Sequence, residues 1–325
     1  MSFEIKDLAG LSQPLTKLVE VVSSAVGAGF RPSAIRKEAD ARSYEIRALA
    51  QAAAEATEIQ NDVRLQAHAK RIALIAAENP ELATRAKQRL LIREVEGQLN
   101  IETIANHAAL ALPSQVSEEP IAADWRRKFF LEAENVCEAD LQFLWGKVLA
   151  GEIVQPGSFG LRTLESLRNL SREDAELFRR ACAVAMSDGW IALPGHDINS
   201  SLLPFEISFG QILELRDAGM LIAGDQLQKK FDVRDAVANQ SKPQVLVNNG
   251  TLIELSSAAA PSINVPALIF TRAGRELQRL NDATPNDEYL RALGLHLRSL
   301  GFVAKRGMHT AMENGQSLIT FETDL

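Results

Sequence analysis

Residues 33–79, SAIRKEADARSYEIRALAQAAAEATEIQNDVRLQAHAKRIALIAAEN, read as one very long helix, with Ser33 placed to cap its start and Asn79-Pro80 to stop it. At 1.5 Å per residue it would run roughly 65 to 70 Å. Alanine, glutamate, arginine and lysine dominate it, and its apolar stripe is thin: Ile35, Tyr44, Ile46, Leu49, Ile59, Val63, Leu65, Ile72 and Ile75. Such a helix cannot bury enough of its own surface. Alanine fills many of the sites where a heptad would need a larger side chain, so the expectation is close packing against a neighbouring helix or subunit rather than a leucine zipper. Its charges nearly cancel, with Arg36, Lys37, Arg42, Arg47, Arg64, Lys70 and Arg71 set against Glu38, Asp40, Glu45, Glu55, Glu58, Asp62 and Glu78. That is a hydrated face, not a nucleic-acid stripe.

The segments around it extend this reading. Residues 11–30 place Leu11, Leu15, Leu18, Val19, Val22 and Val26 on one helical side, with Phe30 at the end, and carry nothing charged after Val21. Leu15, Leu18, Val19, Val22, Val26 and Phe30 are therefore candidates for contact with the protein's own core, with another subunit or with lipid. Against lipid, the stretch lacks the basic polar face of interfacial helices. Asn79 as cap and Pro80 at the first helical position start another helix, which runs to about residue 112. Its basic cluster, Arg85, Lys87, Arg89 and Arg93, has no interleaved aromatics. Arg85, Arg89 and Arg93, with Lys305 and Arg306 near the C-terminus, are weak candidates for anion contact.

With 325 residues and 46% hydrophobic content the chain is long enough for two or three modules. A net charge of −7 argues against a general nucleic-acid binder. Cys137 and Cys182 sit in apolar helical contexts and read as buried thiols rather than a disulfide. No run reaches the length of a membrane span, and MSFEIKDLAG does not resemble a secretory signal. The expected setting is the cytoplasm, with peripheral contact at the inner membrane as the alternative.

Residues 131–171, LEAENVCEADLQFLWGKVLAGEIVQPGSFGLRTLESLRNLS, carry the most particular pattern. Leu141, Leu144, Trp145, Val148 and Leu149 fall on one stripe, Gln155-Pro156-Gly157-Ser158 breaks the helix, and a second helix follows. The run from FLWGKVLAGEI through PGSFGLRTLESLRNLS resembles the bacterial family called domain of unknown function 2806 and, more distantly, the abortive-infection alpha proteins. Leu144, Trp145, Leu149, Glu152, Pro156 and Gly157 are the core of that motif. The resemblance implies a bacterial protein without an established activity, in a setting of defence against phage. The aromatic residues Trp125, Phe129, Phe130, Phe143, Trp145, Phe159 and Phe178 read as core, and Ser171 with Asp174 forms a capping box.

Beyond Gly189 the period changes. WIALP, the helix SFGQILELRDAG, the strand MLIAG, a hairpin QVLVNNGTLIEL turning at Asn249-Gly250, and the strand VPALIF followed by a helix capped by Thr271 give an order that resembles a winged helix. The candidate recognition helix carries Glu214, Arg216 and Asp217, and the candidate wing has no lysine or arginine, so the same fold reads as a protein-interaction module before a DNA binder. The tail reads as one helix and a strand pair with Lys305-Arg306-Gly307 as a basic turn.

His68, His107, His196, His296 and His309 are scattered, and there is no H-E-x-x-H, no Cys-x-x-Cys, no phosphate loop and no G-x-S-x-G elbow. No catalytic residue, metal or cofactor is expected. Glu152 and Glu134 read as capping or solvated carboxylates. The expected fold class is mainly α: an N-terminal helix (1–32), a helical stalk that self-associates (33–112), a linker (113–120), a helical domain (121–189), a winged-helix-like α+β module (190–282) and a small αβ tail (283–325). The expected function is that of a non-enzymatic homo-oligomeric interaction or sensor protein whose partners are itself and another protein. Two alternatives stand beside it: a membrane-acting effector using residues 11–30, and a winged-helix DNA binder.

Overall fold

The computed structural model describes residues 12–26, 63–224, 227–234, 240, 242–257, 261–311 and 317–325, and of these residues 26, 63–70, 308–311 and 317–324 by backbone alone. The described chain is mainly helical, with ten α-helices and two small antiparallel sheets, and divides into two compact units, residues 1–158 and 159–325.

The first unit is all helix: α1 (Gln13–Val26), α2 (Val63–Glu78), α3 (Pro80–Ala111), α4 (Ala123–Ala133) and α5 (Ala139–Val154). Its core is the meeting of α3 with α5, where Ile104, Ala105 and Ala108 face Trp145, Val148 and Leu149, all fully buried. Small residues set the spacing. A Cβ added at Gly146 would stand 2.4 Å from His107 Cβ and 3.0 Å from Ile104 O and Ala108 N, so the two backbones touch at that point. Trp145 then meets Phe129 at 5.1 Å, and Phe129 stacks on Trp125 at 4.9 Å. α1 closes this core, packing on α3, α4 and α5 with Leu18 and Val22 fully buried.

Asn79 stands at the N-cap of α3 with Pro80 at its first position, yet the Asn79 side chain donates backwards to Ile75 O at 3.3 Å instead of capping. The expected stalk helix is described from Val63; residues 33–62 lie outside the described residues, as do Phe30 and the side chain of Val26. Residues 113–120, expected as a boundary, belong inside the first unit. Lys17 Nζ donates to Ser117 O at 2.5 Å and Glu119 O at 2.6 Å, Ser117 N donates to Val154 O, and Ile121 is buried. A lysine holding two carbonyls ties this stretch to α1, and the division falls at the Pro156-Gly157 turn.

The second unit begins with α6 (Leu161–Arg168) and α7 (Arg172–Ala183), the latter opened by the Ser171–Asp174 capping box. It continues through β1 (Trp190–Ala192), a 3-10 turn (Leu203–Phe205), α8 (Phe209–Asp217), β2 (Gln228–Asp232), β3 (Gln244–Asn248), β4 (Thr251–Ser256) and β5 (Ser262–Ile269), then α9 (Arg272–Gln278), α10 (Asp287–Ser299), β6 (Val303–Ala311) and β7 (Ser317–Asp324). One sheet has the order β1-β5-β2, the other β3-β4-β6-β7.

The second unit departs from the sequence reading at three points. MLIAG is not a strand but makes a single bridge, Leu221 to Phe270, and the third strand of the first sheet is β2, whose polar QKKFD hides its periodicity. The hairpin β3–β4 forms with Asn249 and Gly250 at φ of 44° and 85°, but it does not extend the first sheet as a wing. Its tip is held against the end of α7, where Asn249 Nδ2 donates to Cys182 O and Ala183 O at 3.0 Å and Asn248 Nδ2 donates to Ala185 O at 2.9 Å. The tail is not separate either, because β6 pairs with β4 and the fully buried Tyr289 of α10 donates its hydroxyl to Ala192 O at 2.8 Å.

Candidate functional site

Glu152 ends the motif helix α5 and is 1% exposed. Its Oε1 accepts the Gly157 N–H at 2.7 Å, closing the turn in which Gly157 adopts a φ of 86°. The carboxylate thus folds the glutamate, proline and glycine of the motif into one clasp. Trp145 and Leu149 are fully buried, Leu144 and Pro156 half-buried. The buried members of the motif make it part of the core, and Glu134, the other carboxylate singled out with Glu152, pairs with Arg93 at 3.2 Å.

Further clasps escaped sequence reasoning. Glu276 on α9 is 5% exposed, accepts Gly160 N at 2.7 Å and Thr163 Oγ1 at 2.5 Å through Oε2, and accepts Arg272 Nε at 2.7 Å through Oε1. Burial pushes its pKa up, but the hydroxyl, amide and guanidinium donors outweigh that and hold it below the usual carboxylate range. In the first unit Gln142 Nε2 donates to Asn100 Oδ1 at 3.0 Å and to Val136 O at 2.9 Å, seating the turn before α5. No local pattern announces the pairing of Glu276 with Gly160 and Thr163 or of Gln142 with Asn100, so far apart in the chain.

Leu18, Val19 and Val22 are buried in the first unit and Leu15 is half-buried, so these side chains meet their own core. Arg85 pairs with Glu81 at 3.6 Å and Arg93 with Glu134 at 3.2 Å, while Arg89 is exposed. Arg93 lines a groove of about 820 Å³ together with Arg126 and Arg127, but Glu94, Asp124 and Glu134 line it too, so it has no charge preference for an anion. Lys305 and Arg306 do not form a turn: they lie in β6 at a bulge, and Arg306 pairs with Asp287 at 2.9 Å. Cys182 is buried and its thiol is pushed up to about 12 by burial, whereas Cys137, expected to be buried, is exposed between α4 and α5. Phe143 is also exposed rather than core, with its ring against His107 at 5.6 Å. His196 and His296 meet at 5.0 Å, and burial lowers the pKa of His296. Among the described residues no group of three or more His, Cys, Asp or Glu could hold a metal ion. Among them, too, no helix is long and apolar enough to cross a membrane.

Two surfaces stand out. From Arg71 to Glu96 every residue is exposed except the half-buried Ala76 and Ala83, and this span includes Ile72, Leu74, Ile75, Leu82, Leu90, Leu91, Ile92 and Val95. On α8, Ile212 and Leu215 are buried while Phe209, Leu213, Glu214 and Asp217 face outwards.

Residues 84–190 match the family model described as "Protein of unknown function (DUF2806)". The DUF2806 match covers about a third of the 325-residue chain, from the second turn of α3 to the first residue of β1, and includes the whole motif stretch. It supports the first of the two resemblances read from residues 131–171. No curated protein and no solved structure matches the chain.

Proposed function

We propose that this protein is a non-enzymatic, self-assembling interaction protein, joined to copies of itself through α2 and the first half of α3. The observation that carries this is the span from Arg71 to Glu96, a helical stretch bathed in water on all sides that nonetheless carries a run of leucine, isoleucine and valine. An isolated helix gains little in water, and natural helices of this kind draw their stability from packing an apolar face. Arg71, Arg85, Lys87, Arg89 and Arg93 are set against Glu78, Glu81, Glu94 and Glu96, five cations to four anions, so the span is nearly neutral. That composition favours a like copy over a strongly charged partner. By resemblance to the abortive-infection alpha proteins, the setting is defence against phage in a bacterial cell.

The second unit supplies partner recognition in this reading, as a winged-helix-like module. The antiparallel order β1-β5-β2, with α7 before β1, and the 3-10 turn and α8 between β1 and β2, supports it. A DNA-binding role is disfavoured by α8, whose outer face carries Glu214 and Asp217 while Arg216 turns to donate to Gly224 O at 2.8 Å. A lipid-inserting role for residues 11–30 would require Leu18 and Val22 to leave the core.

Light scattering on the full-length protein tests the assembly. A defined multimer is expected, with its mass falling on substituting Leu82→Glu, Leu90→Glu and Ile92→Glu, all at exposed positions. A wild-type monomer at micromolar concentration overturns the proposal.

A further inference from the structure

The outer face of α8 has a composition that specifies what it can hold. Ser208 and Gln211 form a reciprocal capping box at its start, Ile212 and Leu215 are anchored in the core, and Arg216 ties its end to Gly224 O. These contacts set which face of the helix is turned outwards. Phe209 and Leu213, 37% and 41% exposed, are four residues apart and lie one turn above the other. Leu203, 57% exposed, sits on the 3-10 turn just ahead. Around this apolar strip stand the carboxylates of Glu206, Glu214 and Asp217. Glu206 has Arg180 at 4.0 Å, but Glu214 and Asp217 have no ion-pair partner among the described residues.

We propose that this face docks a helical segment of another protein that carries an apolar stripe flanked by lysine or arginine. The apolar side chains of the partner would cover Phe209 and Leu213, and its cations would meet Glu214 and Asp217, a helix-on-helix mode in which area gives affinity and charge gives register and selectivity. Nucleic acid and anionic lipid are refused by the same carboxylates. This deepens the reading of the second unit as a recognition module and rests on it.

The test uses the full-length protein and a fluorescently labelled synthetic helix of leucine and lysine, followed by anisotropy, with a second helix bearing glutamate for lysine. Binding of the lysine helix and not of the glutamate helix is expected. The double variant Glu214→Lys with Asp217→Lys should weaken the lysine helix about tenfold and acquire binding of the glutamate helix, because the charge pairing has been exchanged. Leu213→Ala should weaken both combinations. If the lysine helix binds equally to wild type and to all variants, the site is not α8, although recognition by the second unit survives. If neither helix binds, the proposal fails, and retention of duplex DNA at low salt in the same samples would remove the protein-partner reading as well. Light scattering on each variant reads self-assembly separately, and its mass should not change.

Discussion

Glu152 illustrates how a charged side chain is made structural by what surrounds it. A carboxylate 1% exposed is costly without donors, and the Gly157 amide at 2.7 Å is one of those that hold it. Substituting Glu152→Ala leaves a turn amide without its acceptor and should cost about 1–3 kcal/mol, read as a lower urea midpoint, while Glu152→Gln, which keeps an oxygen in place, should cost less. Equal losses in the two variants would mean that side-chain volume, not hydrogen bonding, is what matters there. Glu152 was legible in the sequence as a helix-terminal carboxylate beside a proline turn. Its burial was not, since that depends on the helices packed around it. Cys137 and Phe143 erred in the opposite direction: apolar neighbours in sequence predicted burial, yet both are exposed on the folded unit.

At the scale of elements, local signals performed well where the chemistry is local. The Ser171 capping box, Pro80 at the start of α3, the Thr271 cap and the Asn249-Gly250 turn all act within a few residues, and all form. Strand identity failed where the pattern is polar, as in β2, or where an apolar run such as MLIAG belongs to a loop. The close approach of α3 and α5 was also silent in sequence, because Gly146 looks like any other helical glycine. Gly146→Ala should destabilise by roughly 1–3 kcal/mol, since a Cβ 2.4 Å from His107 Cβ forces α3 and α5 apart. Gly157→Ala should cost about 1–2 kcal/mol for a different reason: nothing lies near its Cβ, but its φ of 86° is strained for an L residue. Thermal melts combining Gly157→Ala with Glu152→Ala should be non-additive, whereas Gly146→Ala with Gly157→Ala should add. Additivity in the first pair would separate the turn from its carboxylate clasp.

Over the whole molecule, the proposed assembly through the exposed apolar span of α2 and α3 would link stability to association. If copies cover it, the thermal midpoint of the wild type should rise with protein concentration, and that dependence should vanish in the Leu82→Glu, Leu90→Glu, Ile92→Glu variant. A midpoint independent of concentration in both would speak against assembly through this surface. The mainly helical class, the long α3, the Ser171 and Thr271 caps, the hairpin turn and the motif that leads to the DUF2806 match were all present in the order of residues, because each depends on backbone propensity, periodicity or a side chain reaching a neighbour within one turn. The division at residue 158, the sharing of one sheet by β3-β4 and β6-β7, the Glu276 clasp across more than a hundred residues and the covering of some apolar stripes but not others emerged only on folding. Those features arise from contacts between segments distant in the chain, whose partners are selected by packing and by the need of every buried polar group for a donor or acceptor.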